Sequence, residues 1–212
     1  MAPLQTTRPT LPQELEPTRK RGRPRRKIDS EELLDVVERL FAQGGLEAVS
    51  VERAAEELGV SRATLYRAVP TKERLLGALL HRMTGEVTSR SLEATREDGR
   101  SPAERLHGLM RVHFEAAVEM RDYMFVFFDG SRLEPDDYAV WRNFSHDYER
   151  IWVATISAAA DAGAIAVTDP QIAARLMIGM IVWVSRWYRP EMGITVDDLT
   201  AQAAMLLGGP LG

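Results

Sequence analysis

The sequence predicts an all-α protein of about nine helices. A three-helix helix-turn-helix head over residues 28–72 follows a basic arm over 1–27, and a larger helical body fills 73–212. Three observations carry this. First, Ser50–Lys72 holds two short helical faces separated by Gly59 and closed by Pro70. Second, later helix starts are written as caps: Ser101-Pro102 with Glu104, Glu134-Pro135, Asp169-Pro170, and Thr195 with Asp198. Third, no segment alternates apolar and polar residues as a half-buried strand would.

Taken in order, Met1–Thr18 carries several Pro, Thr and Gln, lacks helical periodicity and is expected to be disordered. Arg19–Lys27 has seven basic residues and no acid. Asp29 caps a first helix whose core stripe is Leu33, Val37, Leu40 and Phe41, ended by Gly44-Gly45. Ser50 caps the second, with Val51, Ala54, Ala55 and Leu58 on one face, and Gly59 stops it. Ser61 caps the third. There Leu65 and Val69 point inward, leaving Arg62, Thr64, Tyr66 and Arg67 outward. Thr71 caps a fourth helix with an apolar face of Leu75, Leu76, Leu79, Leu80 and Met83. Glu97–Arg100 is a loop, and a helix then runs from Pro102 to about Met120. Asp122–Phe128 is a short aromatic-rich helix. A long one after Pro135 repeats Tyr138, Trp141, Phe144, Tyr148, Ile151 and Trp152 at helical spacing, until Gly163. Another spans Pro170 to about Tyr188, broken by Pro190 and Gly193, and the last runs to about Leu207.

A polar, basic helix after a tight turn is the layout that enters a DNA major groove. At these residues the chain resembles the TetR family of transcriptional regulators. The likeness runs from Ile28 to Met83: Leu40-Phe41-Ala42-Gln43-Gly44, Ser50-Val51, Gly59-Val60-Ser61, Thr64-Leu65-Tyr66 and Lys72-Glu73-Arg74-Leu75-Leu76, in order and at family spacing. It departs where the family often has His and Phe, here Ala68 and Val69; Ala68 offers no phosphate contact. The resemblance implies that Arg62, Ala63, Thr64 and Arg67 meet bases or nearby phosphates. Tyr66 and Lys72 would hold phosphates, as would Ser50 and Ser61 through hydroxyls or helix-start amides.

The formal charge is −4, but without Arg19–Lys27 the rest of the chain carries −11. A cationic arm on an acidic body is the asymmetry of a nucleic-acid arm. Arg21, Gly22, Arg23, Pro24 and Arg25 resemble an AT-hook core, in which a slim backbone carries arginines into a narrow A/T minor groove; the alternative is an arm that binds phosphates without insertion. With no cysteine, disulfides and thiolate chemistry are excluded. No apolar N-terminal segment suggests a signal peptide, and the apolar run near Leu176–Val184 is too short to span a bilayer. A soluble, cytoplasmic protein is expected. His107 and His113 are six apart, on different helical faces, and no pair of histidines has zinc-ligand spacing. No glycine-rich phosphate loop occurs. Neither catalysis, a metal nor a cofactor is expected.

For the body, the resemblance implies a homodimer formed through the last two helices and a small-molecule effector in a helical pocket. The helix Ile172–Tyr188 is apolar over most of its circumference, as a helix buried on several sides would be. Candidate pocket residues are Phe127, Trp141, Phe144, Tyr148, Met180, Trp183, Arg186 and Trp187; an aromatic stripe at this spacing serves equally well as plain core. All four tryptophans follow position 140, which suits a large apolar cavity. The segment Trp183–Pro190 is similar to a subgroup that senses acyl-CoA thioesters, where guanidinium groups suit phosphates; other apolar or amphipathic effectors fit as well. The implied function is a repressor that binds a palindromic operator on double-stranded DNA and is released by its effector. The alternative is an architectural A/T-rich DNA-binding protein without an effector.

Overall fold

The computed structural model describes residues 28–124 and 133–207, which hold eight α-helices and no strand. In the head, α1 (Ser30–Ala48) starts where the Asp29 carboxylate accepts from the Glu31 and Glu32 amides at 2.8 and 3.2 Å. It kinks at Gly44-Gly45, where Gly45 takes φ 62° and ψ −156°, a conformation left to glycine. One further turn then reaches Ala48, so the expected glycine stop is a break inside the element rather than its end. Ser50 caps α2 (Val51–Glu57) and Ser61 caps α3 (Arg62–Ala68), each accepting from the amide three residues on. Gly59 between them has φ 64°. Leu40, Phe41, Ala54, Ala55, Leu58 and Leu65 fill the space the three helices enclose.

Helix α4 (Lys72–Ala94) is shared between head and body. It packs on α1, and also on α5 (Pro102–Glu119) and α6 (Pro135–Asp161). Its stripe Leu75, Leu76, Leu79 and Leu80 is fully buried. Arg82 clamps it to α1 by ion pairs with Asp35 (2.7 Å) and Glu31 (3.8 Å). Just past α5, the Tyr123 hydroxyl donates to Glu38 at 3.2 Å while its ring meets Phe41, a second tie between body and head.

The capping boxes expected at Ser101/Glu104 and Thr195/Asp198 are both formed, starting α5 and α8 (Val196–Leu206). Asp169 caps α7 (Pro170–Trp187) through the Gln171 and Ile172 amides. Helices α6 and α7 pack together, with α5 against both and α8 against α5. Trp152 and Ile156 of α6, Leu106, Leu109 and Phe114 of α5, and Ala174 and Ile181 of α7 centre this core. The short helix expected over Asp122–Phe128 lies mostly outside the described residues, as does the arm. No described helix is long and apolar enough to cross a membrane.

Candidate functional site

The first candidate surface is α3. Leu65 is fully buried, so the helical period turns Arg62, Ala63, Tyr66 and Arg67 outward, all exposed, with Thr64 half-buried beside them. These residues are held by short-range bonds. Ser61 Oγ accepts from the Thr64 amide at 3.1 Å and shares a hydrogen bond with Thr64 Oγ1 at 2.7 Å. Arg67 Nε donates to the Ala63 carbonyl at 2.9 Å. Ser50 Oγ accepts from the Arg53 amide at 3.2 Å.

Two residues expected to hold phosphates are engaged within the head. The Tyr66 hydroxyl donates to the Glu52 carboxylate, a bond that lowers the Glu52 pKa and raises that of Tyr66. Lys72 Nζ donates to the Leu46 carbonyl at 2.6 Å, closing the turn that follows the glycine kink. An acid therefore sits at the edge of the basic helix: Glu52 of α2 reaches Tyr66 and lies in the field of Arg62. Glu52 and Tyr66 are fourteen residues apart on different helices, so no local pattern reveals the pair. Other head acids are paired elsewhere: Glu31 and Asp35 with Arg82, and Glu57 with Arg39 at 3.6 Å. Arg21, Gly22, Arg23, Pro24 and Arg25 lie outside the described residues.

The second candidate is a cavity of about 280 Å³ enclosed by α4, α5, α6 and α7. Met83 and Val87 come from α4, His113, Ala116 and Met120 from the α5 side, and Trp141, Phe144 and Tyr148 from α6. The three α6 rings form a ladder: Trp141 to Phe144 at 5.7 Å, and Phe144 stacked on Tyr148 at 5.3 Å. Helix α7 contributes Arg175, Ile178, Gly179 and Val182. Arg175 donates from Nε to Glu149 at 2.9 Å, and Gln171 donates to the same oxygen at 3.1 Å. His113 sits in the buried wall with Nδ1 unpartnered, and burial holds its pKa down at about 3. Sequence reasoning considered His113 only as a zinc ligand. Its role in the wall depends on α4, α6 and α7 arriving from elsewhere in the chain.

Of the eight expected pocket residues, Trp141, Phe144 and Tyr148 line this cavity. Phe127 lies outside the described residues. Met180, Trp183, Arg186 and Trp187 do not line it, which corrects their expected place. At about 100° per residue, residues 175, 178, 179 and 182 form one stripe of α7, and Ala174, Met177, Ile181 and Val184 form the buried stripe. Leu176, Met180, Trp183 and Trp187 form a third, pointing outward. Met180 is half-buried, while Leu176, Trp183 and Trp187 are 69%, 61% and 39% exposed. Met205 and Leu206 on α8 are exposed too. Arg186 lies a turn beyond the cavity stripe and lines a separate polar hollow with Arg121, Asp122, Arg189 and Glu191.

Comparison with known proteins matches both halves. The family described as "Bacterial regulatory proteins, tetR family" matches residues 33–79, and "Tetracyclin repressor-like, C-terminal domain" matches residues 99–209. The HTH-type transcriptional repressor KstR2 of Mycobacterium tuberculosis is 28% identical over 185 residues, covering 84% of this chain and 90% of that protein. Among solved structures, a TetR/AcrR-family regulator from Thermobifida fusca superposes with a TM-score of 0.71 at 25% identity, covering 84% and 95% of the two chains. AibR in complex with isovaleryl coenzyme A and operator DNA gives a TM-score of 0.73 at 22% identity, covering 85% and 98%, a likeness of fold. With the C-terminal match alone spanning more than half of its length and the helix-turn-helix match preceding it, the chain belongs to the TetR family of transcriptional regulators.

Proposed function

We propose that this protein is a homodimeric repressor that binds a palindromic operator and is released by a small apolar or amphipathic effector held in the α4–α7 cavity. The observation that carries the reading is α4. Its first turns are packed into the head, and its Met83 and Val87 face the cavity. An occupant that prefers a different α4 position moves the head with it. Because half-sites have a fixed separation, the effector lowers DNA affinity by its differential binding to the two head spacings.

The outward stripe of α7 and the exposed Met205 and Leu206 of α8 offer apolar surface to a second copy. On DNA, Arg62, Ala63, Thr64 and Arg67 meet bases or nearby phosphates, with Ser50, Ser61, Tyr66 and Lys72 on phosphates. Arg21, Arg23 and Arg25 reach the minor groove. An acyl-CoA is one effector of suitable chemistry. The AibR fold neighbour is a complex with isovaleryl coenzyme A, and the hollow bearing Arg121, Arg186 and Arg189 offers guanidinium groups for phosphates.

The test is selection of genomic DNA fragments by the purified full-length protein, followed by sequencing. A shared palindrome is expected. Recovery of A/T-rich fragments without one would favour the architectural alternative and remove the basis of the effector switch.

A further inference from the structure

The cavity wall is mainly apolar; its polar residues include Ser145, the paired Glu149 and Arg175, and His113. His113 is only 5% exposed, lines the cavity, and its imidazole makes no hydrogen bond among the described residues. Its ring is fixed by an edge-on contact with Tyr148 at 5.3 Å and by Trp152 at 5.6 Å. Buried polar atoms are nearly always paired, and one that is not marks a missing partner. Resting on the reading of this cavity as the effector site, we propose that His113 is its polar anchor and that the effector is an apolar molecule bearing a neutral hydroxyl or carbonyl oxygen, placed against the imidazole.

The oxygen is neutral because the imidazole is. Burial keeps the ring uncharged down to a pH of about 3, and an ion pair formed against this apolar wall would have to repay the desolvation of both charges. A neutral imidazole presents one N–H and one lone pair, so a hydroxyl satisfies the ring nitrogen it meets in either tautomer and a carbonyl in one. Any charged part of the effector belongs at the opposite, wet edge, where the Arg175 side chain is 62% exposed. The anchor therefore sorts ligands of equal bulk. A hydrocarbon leaves the imidazole orphaned, and its oxygenated counterpart does not.

The test uses the intact protein and two probes of matched shape, 2-naphthol and 2-methylnaphthalene, measured by equilibrium dialysis. The expected result is roughly tenfold tighter binding of 2-naphthol, the size of one well-placed buried hydrogen bond, with the two probes brought to equal affinity by His113→Phe. Independently of any variant, 2-naphthol should shift a ring ¹⁵N resonance of His113 in histidine-labelled protein, and 2-methylnaphthalene should leave both ring nitrogens near their free positions. Equal binding of both probes to the wild type, or a preference that survives His113→Phe, would overturn the anchor while leaving the cavity as a ligand site. Failure of both probes to bind would overturn the cavity reading and the anchor together.

Discussion

Head and body differ in how completely they are satisfied. Among the described residues, the buried side-chain polar atoms left without a partner all fall in the body, His113 Nδ1 and Asp137 Oδ2 among them. In the head, each helix start is capped by its own Asp, Ser or Thr, and even the carbonyl exposed by the glycine kink is taken by Lys72. A region that presents a fixed surface gains from having every local group paired. A region that must change on binding keeps groups whose partners arrive later, and such departures from full satisfaction collect at functional sites. Of the four such atoms among the described residues, two belong to residues at the proposed switch: His113 lines the cavity, and Asp137 packs against Gly77 of α4.

The largest expected consequence is acid sensitivity from His113. Its folded pKa of about 3 lies below the ordinary histidine value. Between those two values the unfolded chain binds a proton that the native protein does not. Stability is therefore lost as pH falls below about 6.5, at up to about 1.4 kcal/mol per pH unit, or about 3 kcal/mol by pH 4. Chemical denaturation of wild type and His113→Phe at pH 7 and pH 4 checks this. The variant should lose less stability than wild type over the same interval, since the carboxylates titrating there are common to both. Parallel losses would mean that the ring is hydrated and the body no less satisfied than the head.

Next in size is the seam between α4 and α6. Asp137, in the first turn of α6, is buried with its carboxylate against Gly77 of α4, and its Oδ1 lies 3.3 Å from His81 Nε2. A Cβ at Gly77 would overlap that carboxylate. Overpacking costs about 1–3 kcal/mol and the better helix propensity of alanine returns about 1, so Gly77→Ala should lower stability by up to about 2 kcal/mol. Adding Asp137→Ala should restore most of it, a coupling read from a double-mutant cycle. Stabilisation by Gly77→Ala alone would show that the carboxylate yields freely and that α4 is not held there.

The same contrast explains what was legible in the sequence. Caps, glycine turns and the Leu65 register are set by residues within four positions of one another, so the head and most helix starts could be read directly. The Trp141, Phe144, Tyr148 stripe was legible as a helical face, but which face meets empty space depends on four helices converging. Trp183 and Trp187 misled for that reason. Aromatic residues on an apolar helix suit a cavity and an outward surface alike, and about 120° of rotation separates the two here. His113, Asp137 against Gly77, and Glu52 against Tyr66 are contacts between separate helices with no trace in local spacing.

The smallest expected effect tests whether the head is as finished as its bonds suggest. Tyr66 is proposed to hold a DNA phosphate, yet its hydroxyl is spent on Glu52, whose charge also sits near Arg62. Tyr66 is exposed and Glu52 half-buried at the surface, where solvent screens the pair, so exchanging one partner for the other on DNA is a small change. On the proposed DNA surface Glu52 would be the repulsive element, costing affinity for every DNA sequence while it holds the Tyr66 hydroxyl. Glu52→Gln should therefore tighten binding to all fragments by roughly three- to tenfold and Tyr66→Phe weaken it by a similar factor, the range expected for one hydrogen bond or phosphate contact. Because the two act on the same hydroxyl, the double variant should fall short of the sum of the separate effects. Titrations of operator and unrelated DNA at fixed salt would decide the matter. If either substitution changed which sequence is preferred, rather than affinity for all of them, Tyr66 would be reading bases and the phosphate assignment would fall.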